Sequence, residues 1–293
     1  MNTVALLKKI RRIQLQATHQ VNDLLSGAYR SAFKGKGMEF EDVREYQPGD
    51  EIRTIDWNVT ARMNRPYVKN FREERELTVT LVVDISASTR FGSGHQLKSE
   101  LIAEISALLA FSAIKNHDKV ALILFSDKIE KYLPPKNGVR HVLRVIRELL
   151  TYAPEHKKTD TAAALAFLGK VQRHSSICFL ISDGITPDYS HEAAIIARQH
   201  DLISLTVVDP YENKIPTNHS LTLFKDLETD AERLVETPSI NLNRELHENV
   251  QQRLRKHKAL MNRLGGSFLT IETDKPYLLK LHHFFLSRQK RRR

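Results

Sequence analysis

Residues Leu77 to Asp84, LTVTLVVD, form a nearly unbroken aliphatic and β-branched run that stops at a carboxylate. A strand that is apolar on both faces must be covered on both, which is the condition of interior strands in a parallel α/β sheet. The aspartate marks the strand's carboxyl end, and open α/β sheets bind ligands in the crevice outside those ends. Asp84, Ser86 and Ser88 then follow at a spacing of two. Alternate side chains of an extended or tightly looped backbone point the same way, so one carboxylate and two hydroxyls can converge on one hard cation. Oxygen-only ligands favour magnesium or manganese over zinc. Taken alone, Ser86 and Ser88 would serve equally as caps of a following helix, since serine is a preferred N-cap.

Two distant segments bear on that choice. ICFLISD, Ile177 to Asp183, is a second buried-strand pattern ending in an aspartate, with Gly184 as the turn residue. KKTDTAAALAFL places Thr159 and Asp160 just before a helical run that begins near Ala162, where a hydroxyl can cap the helix or reach a metal. Three loops are thus aimed at one crevice.

Around them, strand and helix patterns alternate: helices over 95–116, 139–150, 161–171 and 191–200, and strands over 119–125, 177–182 and 202–208. This predicts an α/β fold with a doubly wound, mostly parallel sheet. Leu221 to Thr237 reads as two short strands around a polar turn, a hairpin inserted within 211–242. A long charged helix over 243–264 ended by Gly265-Gly266, a strand over 267–272 and a helix over 276–287 close the domain. The expected divisions are an N-terminal amphipathic helix over 1–27 with Gly27 as its stop, a subdomain over 28–76, the α/β domain over 77–287 and a basic tail over 288–293.

The order Asp84-x-Ser86-x-Ser88, Thr159, Asp183 resembles the metal-ion-dependent adhesion site of von Willebrand factor A domains. The resemblance implies that the two serines and the threonine bind Mg2+ or Mn2+ through their hydroxyls. The aspartates would act directly or through water, and a partner protein's acidic residue would fill the vacant position. GKGMEFEDVREYQPGDEIRTIDWNVTAR, Gly35 to Arg62, is similar to the signature of the bacterial family called domain of unknown function 58, which joins such a segment to an A-like domain. This chain departs from that signature at Asp50-Glu51 and at Thr60, where two aspartates and a serine are usual. Members commonly accompany MoxR-type AAA+ ATPases, so the resemblance implies an adaptor working with such an ATPase in assembly or maturation of other proteins.

Within the signature, Tyr46, Pro48, Gly49 and Asp50 make a turn. Arg44, Asp50, Arg53, Asp56 and Arg62 can pair as carboxylates and guanidiniums around Trp57. An internal ion-pair scaffold, packed on the sheet by Trp57, and an exposed docking surface are both open readings of this segment.

Nine of the ten net positive charges are Lys8, Lys9, Arg11, Arg12, Arg288, Lys290, Arg291, Arg292 and Arg293, so the body is almost neutral. Basic termini could hold an anionic membrane or nucleic-acid surface. RQKRRR reads instead as a solvated tail, and no aromatic-interleaved basic surface supports specific nucleic-acid binding. GSGHQLKS, Gly92 to Ser99, sits where a phosphate loop would sit but has Leu97 at the required glycine, which argues against nucleotide binding. An aspartate-based phosphohydrolase would need a general acid where Ser86 stands, so the expectation is a non-enzyme. The longest apolar helix pattern, Ile105 to Ile114, has half of the about 20 residues a membrane span needs. The N-terminus lacks a signal pattern and the lone Cys178 cannot form an internal disulfide, so the expected location is cytoplasmic, with a place peripheral to the inner membrane left open.

Overall fold

The computed structural model describes residues 3–21, 26–33, 39–72, 76–94, 96–215, 222–228, 230–235 and 240–291. The start of the signature (Gly35 to Met38), His95, and Arg292 and Arg293 lie outside them, as do the side chains of Lys8 and Lys9. The chain divides into two compact units, residues 1–32 with 78–293, and residues 33–77.

The larger unit is built on a six-stranded sheet. Its strands are β3 (Thr78–Asp84), β4 (Lys119–Phe125), β5 (Ile129–Lys136), β6 (Ile177–Ser182), β7 (Asp201–Val208) and β10 (Ser267–Glu272), in the spatial order β10-β7-β6-β3-β4-β5. All neighbours are parallel except β4 and β5. The aliphatic run of β3 lies at the centre, where Val79, Leu81, Val82 and Val83 have no exposed surface. One face is covered by α4 (Lys98–Lys115) and α5 (Val139–Thr151), with α1 (Thr3–Gln20) and α2 (Ser26–Ala32) packed outside α4, and α10 (Tyr277–Arg291) beside α2. The other carries α6 (Thr161–Val171), α7 (Ser190–Gln199) and α9 (Ile240–Arg263), whose Leu165, Ile196 and Met261 share a core with Val82 and Leu180. The short α8 (Pro210–Asn213) follows β7, and β8 (Thr222–Lys225) with β9 (Glu232–Val235) form the expected antiparallel hairpin.

Four features depart from the expectations. Strand β5 was not foreseen, because Pro134 and Pro135 argue against a strand; they are tolerated at the sheet edge, where a missing N–H breaks no ladder bond. The N-terminal helix ends at Gln20, and Gly27 lies inside α2 rather than stopping α1. Helix α4 starts at Lys98, not His95. Helix α10 runs on to Arg291, and Arg288 is not a solvated tail residue: it is buried and its Nη2 donates to both carboxylate oxygens of Asp201, at 2.7 and 2.6 Å. A cation in the last turn is favoured by the helix dipole, and the carboxylate at the start of β7 fixes it there.

The smaller unit is an antiparallel pair, β1 (Glu39–Glu45) with β2 (Tyr67–Arg72), joined through a 3-10 turn at Ile52–Thr54 and α3 (Trp57–Met63). Arg44 forks onto Asp50 at 2.8 and 2.7 Å, and Gly49 takes the positive φ of 110° that the turn needs. The other expected charge pairs do not form. Asp56 instead caps α3, accepting the N–H groups of Asn58 and Val59, and faces Lys69 at 3.6 Å. Arg53 and Arg62 are exposed and make no ion pair among the described residues. Trp57 is 68% exposed and anchors nothing within its unit.

Candidate functional site

The parallel register pairs Val83 of β3 with Ile181 of β6, which sets Asp84 beside Ser182 at the strands' carboxyl ends. Ser182 Oγ donates to Asp84 Oδ2 at 2.7 Å, and the Ser86 N–H donates to Oδ1 at 2.9 Å. The loop after β3 is tied to its neighbours by backbone bonds, Ile85 N to Phe125 O and Ala87 N to Lys157 O, each 2.9 Å. The same pattern holds the loop before α6, where Asp160 N donates to Ser126 O at 2.8 Å and the Asp160 side chain caps the helix at Ala163 N. Asp84, Ser86, Ser88, Thr159 and Asp183 are all buried. The helix-cap reading of the serines does not hold: Ser86 stands at the N-cap of a short 3-10 turn over Ala87–Arg90 but makes no side-chain cap bond.

Ser86 Oγ and Ser88 Oγ lie 3.0 Å apart. Octahedral magnesium, with oxygens at about 2.1 Å, sets neighbouring ligands about 3.0 Å apart, so the two hydroxyls have the separation of one octahedral edge. A second pair has the same separation. Thr159 Oγ1 donates at 3.0 Å to Oε1 of Glu228, a residue in the β8–β9 turn that sequence reasoning did not single out. The Ser88 hydroxyl lies on the same side and favours the ionised form of Glu228. Two oxygen pairs, Ser86 with Ser88 and Thr159 with Glu228, thus stand at that separation. Among the described residues no group of three histidine, cysteine, aspartate or glutamate side chains is spaced to hold a metal. A cation here would depend on the hydroxyls, and the donor set is of the magnesium and manganese class.

The electrostatics are those of concentrated buried negative charge. Burial and then the charge of Asp183 push the Asp84 carboxyl up to about 7, against the hydrogen bonds from Ser86 and Ser182. Burial likewise raises Glu228, opposed by the Thr159 bond, raised again by Asp183, and opposed by Ser88. A cation reverses this sense by favouring the ionised forms.

Part of the charge is already matched by a lysine that the sequence reading passed over. Lys98, 1% exposed at the first turn of α4, donates to Asp183 Oδ2 and to Glu212 Oε1, both at 2.8 Å. Burial pulls its ammonium down, but Asp183 and Glu212 outweigh that and leave it raised. Arg253 of α9 pairs with the other oxygen of Glu212. The one available signal was dipolar: a cation at a helix N-terminus is unfavourable unless a carboxylate faces it. Asp183 Oδ1 accepts the Ile185 N–H at 3.0 Å, so each of its oxygens, like each of Asp84's, already accepts one bond from the protein.

Asp209, at the end of β7, has a positioning part. Burial would raise its carboxyl, but bonds from Ser93 Oγ and N–H, Tyr211 N–H and Thr273 Oγ1 hold it below the ordinary range. It thereby pins the loop that delivers Lys98. Gly184, at φ 75°, lets α9 close in, since a Cβ there would meet Thr206 at 3.2 Å and His257 at 3.3 Å. Between α9 and the loop from Gly184 to Ser190 runs a cleft of about 810 Å³ bordered by Arg253, Lys256, His257 and Arg263.

The sequence pattern of the family described as "Protein of unknown function DUF58" matches residues 42–259. The uncharacterized protein Rv1480 of Mycobacterium tuberculosis is 27% identical over 288 residues, covering 96% of this chain and 89% of that protein. The uncharacterized protein YeaD of Bacillus subtilis is 26% identical over 153 residues, 52% of this chain and 36% of that protein. Among solved structures, the conserved hypothetical protein BatB from Bacteroides thetaiotaomicron aligns with a TM-score of 0.47 at 13% identity, covering 73% of this chain and 99% of that one. A von Willebrand factor type A protein from Catenulispora acidiphila aligns with a TM-score of 0.42 at 13% identity, covering 73% and 43%.

Proposed function

This chain belongs to the DUF58 family, and we propose that it is a divalent-cation-dependent protein-binding adaptor, not an enzyme. Ser86, Ser88 and Thr159 would hold Mg2+ or Mn2+ through their hydroxyls, with Asp84 and Asp183 supplying charge directly or through water. Bound there, the cation offers a coordination position to the carboxylate of another protein.

The observation that carries this reading is the convergence of three separate loops at the sheet's carboxyl edge, with Ser86 and Ser88 hydroxyls at ligand-to-ligand separation. The cleft beside it favours the same kind of partner. From Val250 to Arg263, α9 carries Arg253, Arg255, Lys256, Lys258 and Arg263 and no carboxylate, a surface suited to acidic chains. By family resemblance the working partner is a MoxR-type AAA+ ATPase, in the cytoplasm or at the inner face of the membrane.

Calorimetric titration with Mg2+ and Mn2+ tests the site. We expect binding in the millimolar range, because few protein oxygens with several retained waters bind weakly. The Asp84→Ala variant should lose it while staying folded. Capture of the ATPase should then fail in chelator and in that variant alike. Equal cation affinity in wild type and variant would remove the reading.

A further inference from the structure

The β8–β9 turn carries a carboxylate into the position that a partner's acidic residue is supposed to take. Glu228 accepts from Thr159 at 3.0 Å, one of the three hydroxyls assigned to the cation, and the Ser88 hydroxyl, a second, favours its ionised form. Its turn is latched by polar contacts: Asp230 pairs with Lys157 and, at 3.2 Å, with Lys225. Lys157 belongs to the loop whose carbonyl receives the Ala87 N–H, so the latch closes directly over the Ser86–Ser88 loop. Inside the turn, Glu228 N donates to Asp226 Oδ1 at 2.8 Å and Asp226 N to Ala231 O at 2.8 Å, which fixes the direction of the Glu228 backbone. By contrast Leu223 and Leu234, paired across the hairpin, are 59% and 62% exposed, so they contribute no apolar anchor to the body.

We infer that Glu228 is a built-in ligand of the cation site, a carboxylate of this chain that completes the coordination and must be displaced before a partner's carboxylate can bind. This rests on the cation reading above. An ionised carboxylate is a stronger ligand for a hard cation than a water, and one tethered at the site acts at high effective concentration, so a free acid competes poorly with it. The latch is made of exposed ion pairs, which are individually weak and yield to a partner that brings more contacts. The hairpin is thus a gate operated by ligand competition.

Mn2+ titration with water-proton relaxation tests this on wild type and E228Q, with acetate as the free carboxylate. Glutamine keeps the size and an oxygen that can still accept from Thr159, so a mere hydrogen-bonding role predicts no change. If Glu228 is a ligand, E228Q binds Mn2+ about tenfold more weakly, the charge-assisted contact being worth about 1.4 kcal/mol or more. The bound ion in E228Q relaxes water faster, since water fills the vacated position, and acetate suppresses that relaxation in E228Q but not in wild type. Equal affinity and equal relaxation in the two proteins overturn the inference and leave the cation site standing. Absence of Mn2+ binding in both removes the cation site itself and the inference with it.

Discussion

The Lys98 ammonium lies 2.8 Å from Asp183 and 2.8 Å from Glu212, an ion triad with almost no exposed surface at the edge of the candidate cation site. Removing Lys98 leaves the buried Asp183 carboxylate without its cation while Glu212 keeps Arg253, and breaking a buried pair this way typically costs about 3–5 kcal/mol. Lys98→Met should therefore lower stability by that order in a urea melt, whereas an exposed lysine such as Lys170 replaced by Ala should stay within about 0.5 kcal/mol. A loss below about 1 kcal/mol for Lys98→Met would mean that the triad is solvated.

The raised Asp84 carboxyl has a definite sign. It ionises near 7 in the fold and near its ordinary 3.8 in the unfolded chain. Between those values the folded protein keeps a proton that the unfolded chain has released, so cation-free stability falls as pH rises from about 4 to about 7 and stays low above. Asp84→Asn cannot ionise. In chelator at about pH 8 it should melt higher than wild type, by about 1 kcal/mol or more, with a flatter pH profile. Magnesium should stabilise wild type there and leave Asp84→Asn unmoved. A variant that melts lower than wild type at that pH contradicts the assignment.

Arg288 and Lys290 lie on one helical turn with opposite consequences. The Arg288 guanidinium is buried on Asp201, so Arg288→Ala should cost about 3–5 kcal/mol in chemical denaturation. Lys290 is exposed, and its alanine variant should fall within about 0.5 kcal/mol of wild type. Loss of affinity for anionic vesicles in Arg288→Ala therefore has to be read against its folded fraction.

In the smaller unit, Arg53→Ala should leave the denaturation midpoint within about 0.5 kcal/mol of wild type, as expected for an exposed, unpaired side chain. Trp57→Ala should likewise spare stability, since the indole is mostly in water already. If both variants nonetheless weaken capture of the proposed ATPase partner, the segment is a docking surface. If either melts far below wild type, it is a scaffold.

Much of this was legible in the chain because it depends on local pattern. The runs before Asp84 and Asp183 name buried parallel strands, and a strand's carboxyl end is where a ligand-bearing loop must start. Lys98, Glu212 and Glu228 were not legible, since their meaning comes from partners 85, 114 and 69 positions away. A lysine next to a glycine-rich loop reads as surface, and a glutamate in a polar turn reads as solvent-facing. The two prolines of β5 and Arg288 failed for a related reason: residues typical of loops and tails were absorbed by an edge position and by a distant carboxylate.

That edge strand carries a further meaning. Pro134 and Pro135 sit in β5 where the pairing with β4 slips between Val120 and Leu122, so the outer rim of the sheet offers neither a regular row of donors nor a flat profile. An incoming strand, whether from a second copy or from a misfolded neighbour, finds no template on that side. Edge-to-edge growth of the sheet by strand addition is disfavoured there, so this rim is a poor seed for aggregation.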